Sequence, residues 1–418
     1  MAPDQVSLGR LWALMATVFV DMIGLLMVVP VLPFYATRLG ASAFAVGIMV
    51  SGYAIAQLAI APLWGRLSDR YGRRPVLLAG ITIAAVAFLL FAYASSDSAM
   101  AHFSPRTLVV LLFVSRLVQG AGGATTGIVQ AYIGDAIVAE ERTKALGWIS
   151  AATNAGVMLG PVLGSLAALL GPSAPGLLAS LLCLVNLLFT WKWLPESHHD
   201  RERHPDRPRA SVRKQLWSVA TEPTQPVARL IWIYAVGMMA FMAMNAVLAL
   251  FLQARFGVTE KTFGYFYAYI GTVSLVMRSL ILGPTVRRLG EIRVLRLGLV
   301  ALALGFALQP LATNIPAFVV IMLLIPIGTA LLFPATTSLV TRFGSRADLG
   351  ATMGVQQAFG GVARLLGPIW AGAAFEYMGP GAPLWISSGI VLATLAFATG
   401  LRPQASTVAA PAETAKAG

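Results

Sequence analysis

The run Gly65-Arg66-Leu67-Ser68-Asp69-Arg70-Tyr71-Gly72-Arg73-Arg74 is the polar segment around which the rest of the sequence can be organised. It lies between two apolar stretches, at about 43–63 and 75–95. Each stretch is long enough to cross a bilayer, because the hydrocarbon core is about 30 Å thick and a helix rises about 1.5 Å per residue. The sequence therefore predicts a tight, positively charged turn between two membrane-spanning helices.

Ten further stretches of the same kind predict an all-α membrane protein with twelve transmembrane helices. The composition agrees, since 57% of the 418 residues are hydrophobic and 11% are charged, which excludes an ordinary soluble domain. The single Cys183 and the lack of a Cys/His cluster with ligand spacing exclude a disulfide framework, and we expect neither a metal site nor a cofactor. The other spans are predicted at about 11–35, 107–133, 146–169, 176–195, 229–253, 263–285, 295–313, 317–340, 351–375 and 382–401.

The basic residues follow the positive-inside rule. With the N-terminus placed in the cytoplasm, 23 of the 30 Lys and Arg residues fall on the cytoplasmic side, four fall outside and three lie within spans. The formal charge of +13 is thus a topology signal, and it predicts a multi-pass protein with both termini cytoplasmic. The lipid bilayer is the expected partner, and nucleic acid is not.

The chain is predicted to divide into two related six-helix bundles. Residues 1–195 form the first, 196–228 a solvated cytoplasmic linker, 229–401 the second, and 402–418 a disordered cytoplasmic tail. A weak repeat supports the division, because the segment 65–76 is echoed at 283–294, and Gly160-Pro161 at Gly367-Pro368. Paired bundles of this kind place the substrate site between them, near the bilayer midplane.

Four charged residues lie inside predicted spans: Asp21, Arg116, Arg278 and Arg364. Burial favours the neutral form of a carboxyl group and a nearby arginine favours the charged form, so Asp21 is suited to bind and release a proton. A permanent Asp21–Arg116 ion pair is the structural alternative. The excess of arginines suggests a substrate that is at least partly anionic, unless backbone carbonyls satisfy them.

Three segments, 65–74, 116–124 and 156–165, resemble motifs of the major facilitator superfamily. The resemblance is narrower to its twelve-helix drug/proton antiporters, including the tetracycline exporters. The resemblance covers about 10–400. The turn 65–74 is similar to a signature that acts as a cytoplasmic gate, which implies gating roles for Gly65, Asp69, Gly72, Arg73 and Arg74. A loop that only fixes topology is the alternative.

Helices 4 and 5 carry the other two motifs. The segment 116–124 resembles a motif built on a buried arginine, which implies a proton-coupling role for Arg116 together with Asp21 of helix 1. The segment 156–165 resembles the motif that marks exporters, through Gly156, Gly160, Pro161 and Gly164, although Ser165 replaces the last glycine of the pattern. Small residues at this spacing also serve plain helix packing, so the direction of transport stays open.

Candidate substrate-binding residues come from five helices. Helix 2 resembles the tetracycline exporters at Tyr53 and Gln57, and an interhelical hydrogen bond is the alternative role for Gln57. Helix 7 offers a methionine-rich surface. The aspartates that tetracycline exporters carry in helices 3 and 9 are absent here, which sets this chain apart from them. The full candidate set is Tyr53, Gln57, Gln119, Met242, Asn245, Arg278 and Arg364.

The sequence thus predicts a proton-coupled antiporter that exports amphiphilic organic compounds or drugs by alternating access. Small-molecule substrate and protons are the expected ligands, and the resemblance places a monomer in the bacterial inner membrane. One alternative is a symporter or facilitator of the same fold that takes up a small organic, possibly anionic, solute. A membrane-embedded enzyme is disfavoured, because the four histidines all lie in loops and no span pairs a nucleophile with a base.

Overall fold

A computed structural model of the chain describes residues 8–123, 125–137, 139–196, 209–344 and 349–401. Twelve of its helical segments are long and apolar enough to cross a membrane, which confirms the predicted number of spans and the all-α class. Most run further than predicted; the second, for example, extends from Ala43 to Tyr71. The helices of the N-terminal half are α1 Leu8–Val28, α2 Leu32–Arg38, α3 Ala43–Tyr71, α4 Arg73–Ala94, α5 Asp97–His102, α6 Pro105–Gly122, α7 Thr125–Ala136, α8 Ala139–Ala168 and α9 Ala174–Trp193.

The C-terminal half repeats this plan after one additional helix. Three of its spans contain a break: a π-helical turn at Met277–Ile281 joins α12 to α13, a 3-10 turn at Gln309–Leu311 follows α14, and Leu323 separates α15 from α16. The helices are α10 Arg209–Thr221, α11 Pro226–Phe256, α12 Phe263–Val276, α13 Leu282–Leu289, α14 Glu291–Leu308, α15 Ile315–Met322, α16 Leu324–Phe343, α17 Leu349–Met378 and α18 Ala382–Thr399.

The buried apolar side chains form two large clusters, one in each half. The first runs from Ala13 to Leu194 and the second from Val219 to Leu401. Only two members cross over in sequence, because Phe34 packs with the second cluster and Leu250 with the first. Each half therefore has a core of its own, as separate moving units require.

The internal repeat is visible in the backbone. Gly72 joins α3 to α4 with a φ of 103°, and Gly290 joins α13 to α14 with a φ of 77°. Both angles lie in the region that glycine adopts readily and other residues avoid. The two halves thus use the same one-residue hinge at corresponding places.

The predicted linker contains a helix. Residues 197–208 and 402–418 lie outside the described residues, but 209–221 form α10, which a fully solvated linker does not predict. Val219 of α10 is buried in the C-terminal core, and its carbonyl accepts a hydrogen bond of 2.9 Å from the Trp232 indole of α11. The end of the linker is therefore fixed to the C-terminal half.

The two halves are joined at one end of the bundle, which we call the outer end because the charge pattern predicts that it faces outside the cell. Arg38 and Glu260 form an ion pair of 2.6 Å there, and the Ala43 amide donates to Glu376 at 2.7 Å. About two helical turns further along α3, the Ser51 hydroxyl donates to the Leu365 carbonyl at 2.7 Å. Contacts of α3 with α17 and of α8 with α12 thus close the outer end.

At the opposite, inner end the polar contacts around Arg73 and Glu291 stay within one half. Arg73 pairs with Asp69 and Asp135 of the N-terminal half, and Glu291 with Ser338 and Arg342 of the C-terminal half. The helix α13 has no buried residue, and α3 is largely exposed over 59–66. The structure therefore has one closed end and one accessible end, which is an inward-facing arrangement in the orientation that the charge pattern predicts.

Candidate functional site

Asp21 lies in the fourth turn of α1, inside the N-terminal half. It lies near the Tyr53 hydroxyl of α3 and the Cys183 thiol of α9. The side chain is partly exposed, and within the described residues it makes no hydrogen bond or ion pair. The alternative of a permanent Asp21–Arg116 ion pair is therefore not present in this state.

Arg116 of α6 is 2% exposed and is held by its own neighbours. Its guanidinium donates to the Gln119 amide oxygen three residues along the helix, and lies 5.5 Å from the centre of the Tyr53 ring. Gln119 is 5% exposed. The structure thus places Gln119 as a support for Arg116, while sequence analysis assigned it to substrate binding.

Tyr53 and Gln57 link α3 to the end of α6. The Gln57 amide donates 3.1 Å to the Tyr53 hydroxyl and 2.7 Å to the Gly123 carbonyl. The bond to Gly123 is interhelical, the role that was the alternative for Gln57, while the bond to Tyr53 lies within α3. They also fix the Tyr53 ring against Arg116, so the two residues form one rigid polar unit beside Asp21.

Arg364 brings the C-terminal half to this unit. It lies on α17, near the Tyr53 hydroxyl that Asp21 and Arg116 also approach. Its neighbour Gly360 lies against the Tyr234 ring of α11. The structure therefore brings three of the predicted site residues, Asp21, Arg116 and Arg364, close to a fourth, Tyr53.

The helix 7 candidates lie on α11, at the other side of Arg364. Asn245 donates to the Phe241 carbonyl at 2.7 Å and accepts from the Tyr267 hydroxyl of α12 at 2.8 Å, so its amide is already engaged. Met242 packs close to Gly367 of α17. These two residues shape the wall of the site.

The neighbouring methionines of α11 do not share one surface. Met244 is fully buried in the C-terminal core. Met239 lines an apolar groove of about 400 Å³ between α11 and α17, on the face of α17 opposite to Arg364. The methionine-rich sequence therefore serves packing as well as any ligand.

Arg278 is separated from the central unit. It lies in the π-helical turn between α12 and α13 and is exposed. Gly264 and Gly271, fourteen and seven residues before it, contact Ser165 and Met158 of α8. Arg278 thus continues a face of α12 that is directed toward the N-terminal half, but at a level where the halves diverge.

The predicted gating residues form a cluster within the N-terminal half. Arg73 bonds to Asp69 at 2.6 Å and to Asp135 of α7 at 2.8 Å. Gly65 is exposed and has no neighbour that a side chain would meet. The cluster ties α3, α4 and α7 together in this state.

Glu196 completes this cluster and was missed, because it was assigned to the linker. Its carboxylate accepts the backbone N–H groups of Arg73 and Arg74 at 2.9 and 3.1 Å. It thereby meets the positive N-terminal end of α4. An acid directly after a predicted span was the available signal.

The helix 5 motif has two working faces. Gly156 and Gly160 lie directly against the backbone of α1, where added methyl groups would meet the carbonyls of Phe19 and Ile23 at 2.7 and 2.9 Å; Gly164 packs on Met27 in the same way. Pro161 and Ser165 face Gly264 of the other half. The motif therefore connects the helix that carries Asp21 to the interface between the halves.

Comparison with known proteins agrees with this geometry. The family model described as Major Facilitator Superfamily matches residues 14–292 and 277–417. The chain is 28% identical over 371 residues to the class B tetracycline resistance protein of Escherichia coli, covering 87% of each chain. It is 27% identical over 370 residues to multidrug resistance protein 2 of Bacillus subtilis, covering 87% of this chain and 88% of that one.

A solved structure shows the same fold. The human organic anion transporter MFSD10 (TETRAN) superposes with a TM-score of 0.67 at 22% identity, over 94% of this chain and 100% of that one. At this identity the likeness concerns the fold alone.

Proposed function

Because the chain belongs to the Major Facilitator Superfamily, we propose that it is a proton-coupled antiporter that exports amphiphilic organic compounds by alternating access. The chain is a multi-pass membrane transporter of this family and not an enzyme. The proposal of proton coupling rests on Asp21, whose unpaired carboxyl group lies near Tyr53 inside the N-terminal half. The relatives named for tetracycline and multidrug resistance support export as the direction.

The proposed cycle uses the two cores as rigid bodies. In the inward-facing state the substrate enters from the cytoplasm or inner leaflet and occupies the space around Tyr53. The halves 1–195 and 229–401 then rock, the outer contacts open, and a proton from outside binds Asp21 and favours release. The proton returns to the cytoplasm when the inward-facing state reforms.

The helix 5 motif explains how the two events are linked. Since α8 contacts α1 through its glycines and α12 through Pro161 and Ser165, a displacement of the halves is transmitted to the helix that bears Asp21. Charge at Asp21 can in turn bias the position of the halves, as reciprocity between coupled sites requires. We further propose a monomer in the bacterial inner membrane with both termini cytoplasmic.

The test is the Asp21→Asn variant, with Asp97→Asn at the outer membrane surface as the matched control. Resistance profiling of a drug-sensitive bacterial host first identifies a transported compound. That compound is then followed in proteoliposomes with an imposed pH gradient. We expect Asp21→Asn to abolish accumulation driven by an acidic lumen while leaving ligand binding within about three-fold, because the amide keeps shape but cannot carry a proton; Asp97→Asn should behave as wild type.

The direction of the gradient separates antiport from uptake. Accumulation in acidic vesicles indicates exchange for protons, whereas accumulation only from an acidic exterior indicates a symporter. The symporter has one observation in its favour, since Gly156, Gly160 and Gly164 of the α8 motif are all engaged in packing onto α1. Undiminished uphill transport by Asp21→Asn would contradict the coupling role.

A further inference from the structure

We propose that the transported compound carries an acidic group and that Arg364 is the residue that binds it. The proposal rests on the transport function above and names its substrate class: amphiphilic organic anions. It is carried by the position of Arg364, by the lack of a protein partner for it, and by the aromatic and hydroxyl groups beside it.

Arg364 points into the space between the halves. One face of α17 packs on α3, through Leu365 against Ser51 and Gly361 against Leu58. Another face packs on α11, through Gly360 and Gly367. Arg364 lies between these two faces, and its side chain is partly exposed. The guanidinium is therefore accessible from the space between the halves and is not directed at lipid.

The guanidinium has no hydrogen-bond or ion-pair partner within the described residues. This distinguishes it from Arg116, which donates to Gln119 and lies over the Tyr53 ring. A charge at the centre of the membrane costs about 2.5–3.5 kcal/mol even on the lenient insertion scale, so an unpaired arginine there is expected to serve a ligand.

The described carboxylates offer it no compensation. Glu260 and Glu376 lie at the outer end and are bound to Arg38 and the Ala43 amide. Glu291 lies at the inner end with Ser338 and Arg342. Asp21 lies near the same tyrosine, Tyr53, but forms no ion pair with Arg364. The site between the halves is therefore short of negative charge, which an anionic ligand would supply.

The surroundings of Arg364 suit an acid attached to an apolar body. The Tyr234 hydroxyl, close to the guanidinium, has no partner within the described residues and can donate to the same anion. The Tyr234 ring packs edge-on to Phe333 at 5.5 Å, and Phe241 lies 6.3 Å from Phe333 on the other side. An arginine, a phenol and an aromatic surface together are fitted to an aromatic carboxylate or sulfonate.

The test compares two probes that differ only in the acid. The protein in nanodiscs is titrated with 8-anilinonaphthalene-1-sulfonate and with the uncharged N-phenyl-1-naphthylamine, and binding to empty nanodiscs is subtracted. We expect Arg364→Gln to weaken binding of the sulfonate about ten-fold or more, the range for hydrogen bonds to a charged group, and to change the neutral probe less than about two-fold. Tyr234→Phe should weaken the sulfonate less, by about two- to five-fold.

The controls keep the outcome interpretable. Arg255→Gln, at the exposed outer end of α11, removes one arginine from the same half and should bind both probes as wild type. If Arg364→Gln does not fold, Arg364→Met makes the same test, because it keeps a long stem and leaves no polar group unsatisfied. Equal losses for both probes, unchanged sulfonate binding, or a wild type that prefers the neutral probe would each overturn the proposal.

This result is independent of proton coupling, since no gradient is applied. If Asp21→Asn transports normally but Arg364→Gln loses the sulfonate, the coupling role fails and the anion site stands. If the coupling test succeeds and the sulfonate shows no dependence on Arg364, only the substrate class is wrong.

Discussion

At the residue scale, Gly72 shows how one backbone angle holds the inner end of the N-terminal half together. Its φ of 103° turns the chain from α3 into α4, so that the first two amides of α4 meet the Glu196 carboxylate. A charge-assisted bond to exposed helix amides is stronger than a neutral one. The glycine, the arginines and the glutamate therefore act as one unit.

We expect Gly72→Ala to destabilise the protein by about 1–3 kcal/mol, since a side chain is strained at this angle. Its Cβ would also lie 2.5 Å from a Glu196 carboxylate oxygen and displace it. Gly65→Ala is the matched control, because a Cβ there meets nothing within 4 Å. Thermal unfolding of both variants in detergent measures the difference. Equal melting temperatures would show that the Glu196 contact adds nothing to stability.

Some of these pairings were open to prediction from sequence and others were not. The Arg116–Gln119 bond joins residues three apart on one helix, a spacing that puts side chains on the same face. The bond between Glu196 and α4 joins residues 123 apart, and only the packing of α9 against α4 brings them together. Tyr234 was missed for the same reason, because its place beside Arg364 depends on how α11 meets α17.

At the element scale, helix length and hydropathy predicted the spans well, and the breaks within them poorly. The π-helical turn Met277–Ile281 contains no proline or glycine, so nothing in its composition marks it. The helix α10 was missed because its first turns are rich in arginine and the contact of Val219 with Trp232 depends on tertiary packing. Local pattern thus fixes where a helix crosses the membrane, while tertiary packing fixes where it bends or docks.

The helix 5 motif gives the prediction at this scale. We expect Gly160→Ala to destabilise the N-terminal half by about 1–3 kcal/mol, because the added methyl group overpacks a contact between two backbones. The Cβ would lie 2.9 Å from the Ile23 carbonyl oxygen, two residues from Asp21. The separation of α8 from α1 should also slow proton-driven transport.

Gly147→Ala on the same helix is the control. That position has nothing within 4 Å of an added Cβ, so the substitution should be neutral or slightly stabilising. Melting temperature and initial transport rate are measured for both. A Gly160→Ala protein with the stability and rate of Gly147→Ala would mean that α8 and α1 are not in tight contact.

At the scale of the whole molecule, the closed outer end defines the state that the structure represents. The contacts there are of two kinds: polar bonds such as Arg38–Glu260, and direct backbone approaches between α3 and α17. The ion pair is partly solvated and worth little, about 0–1 kcal/mol. The backbone approaches must therefore contribute most to keeping the outer end shut.

Gly372 of α17 tests this conclusion, because it lies against the start of α3. A Cβ on it would approach the Ala43 carbonyl oxygen at 2.5 Å and the Phe44 Cα at 3.1 Å. The clash exists only while the outer end is closed, so Gly372→Ala should disfavour the inward-facing state. Overpacking of about 1–3 kcal/mol corresponds to a shift of about five- to 150-fold in the equilibrium toward the outward-facing state.

Spin labels at the exposed residues Asp97 and Tyr377, in a Cys183→Ser background, report the separation of the halves at the outer end. We expect Gly372→Ala to populate a longer distance, and Gly389→Ala on α18, where a Cβ meets nothing within 4 Å, to leave the distribution unchanged. Because the shift is conformational, addition of a bound substrate or a change of pH should move the distribution of the variant and of the wild type in the same direction. If Gly372→Ala keeps the wild-type distance and melts at a lower temperature, then the outer contact persists in every accessible state, and the two halves do not separate along α3 and α17.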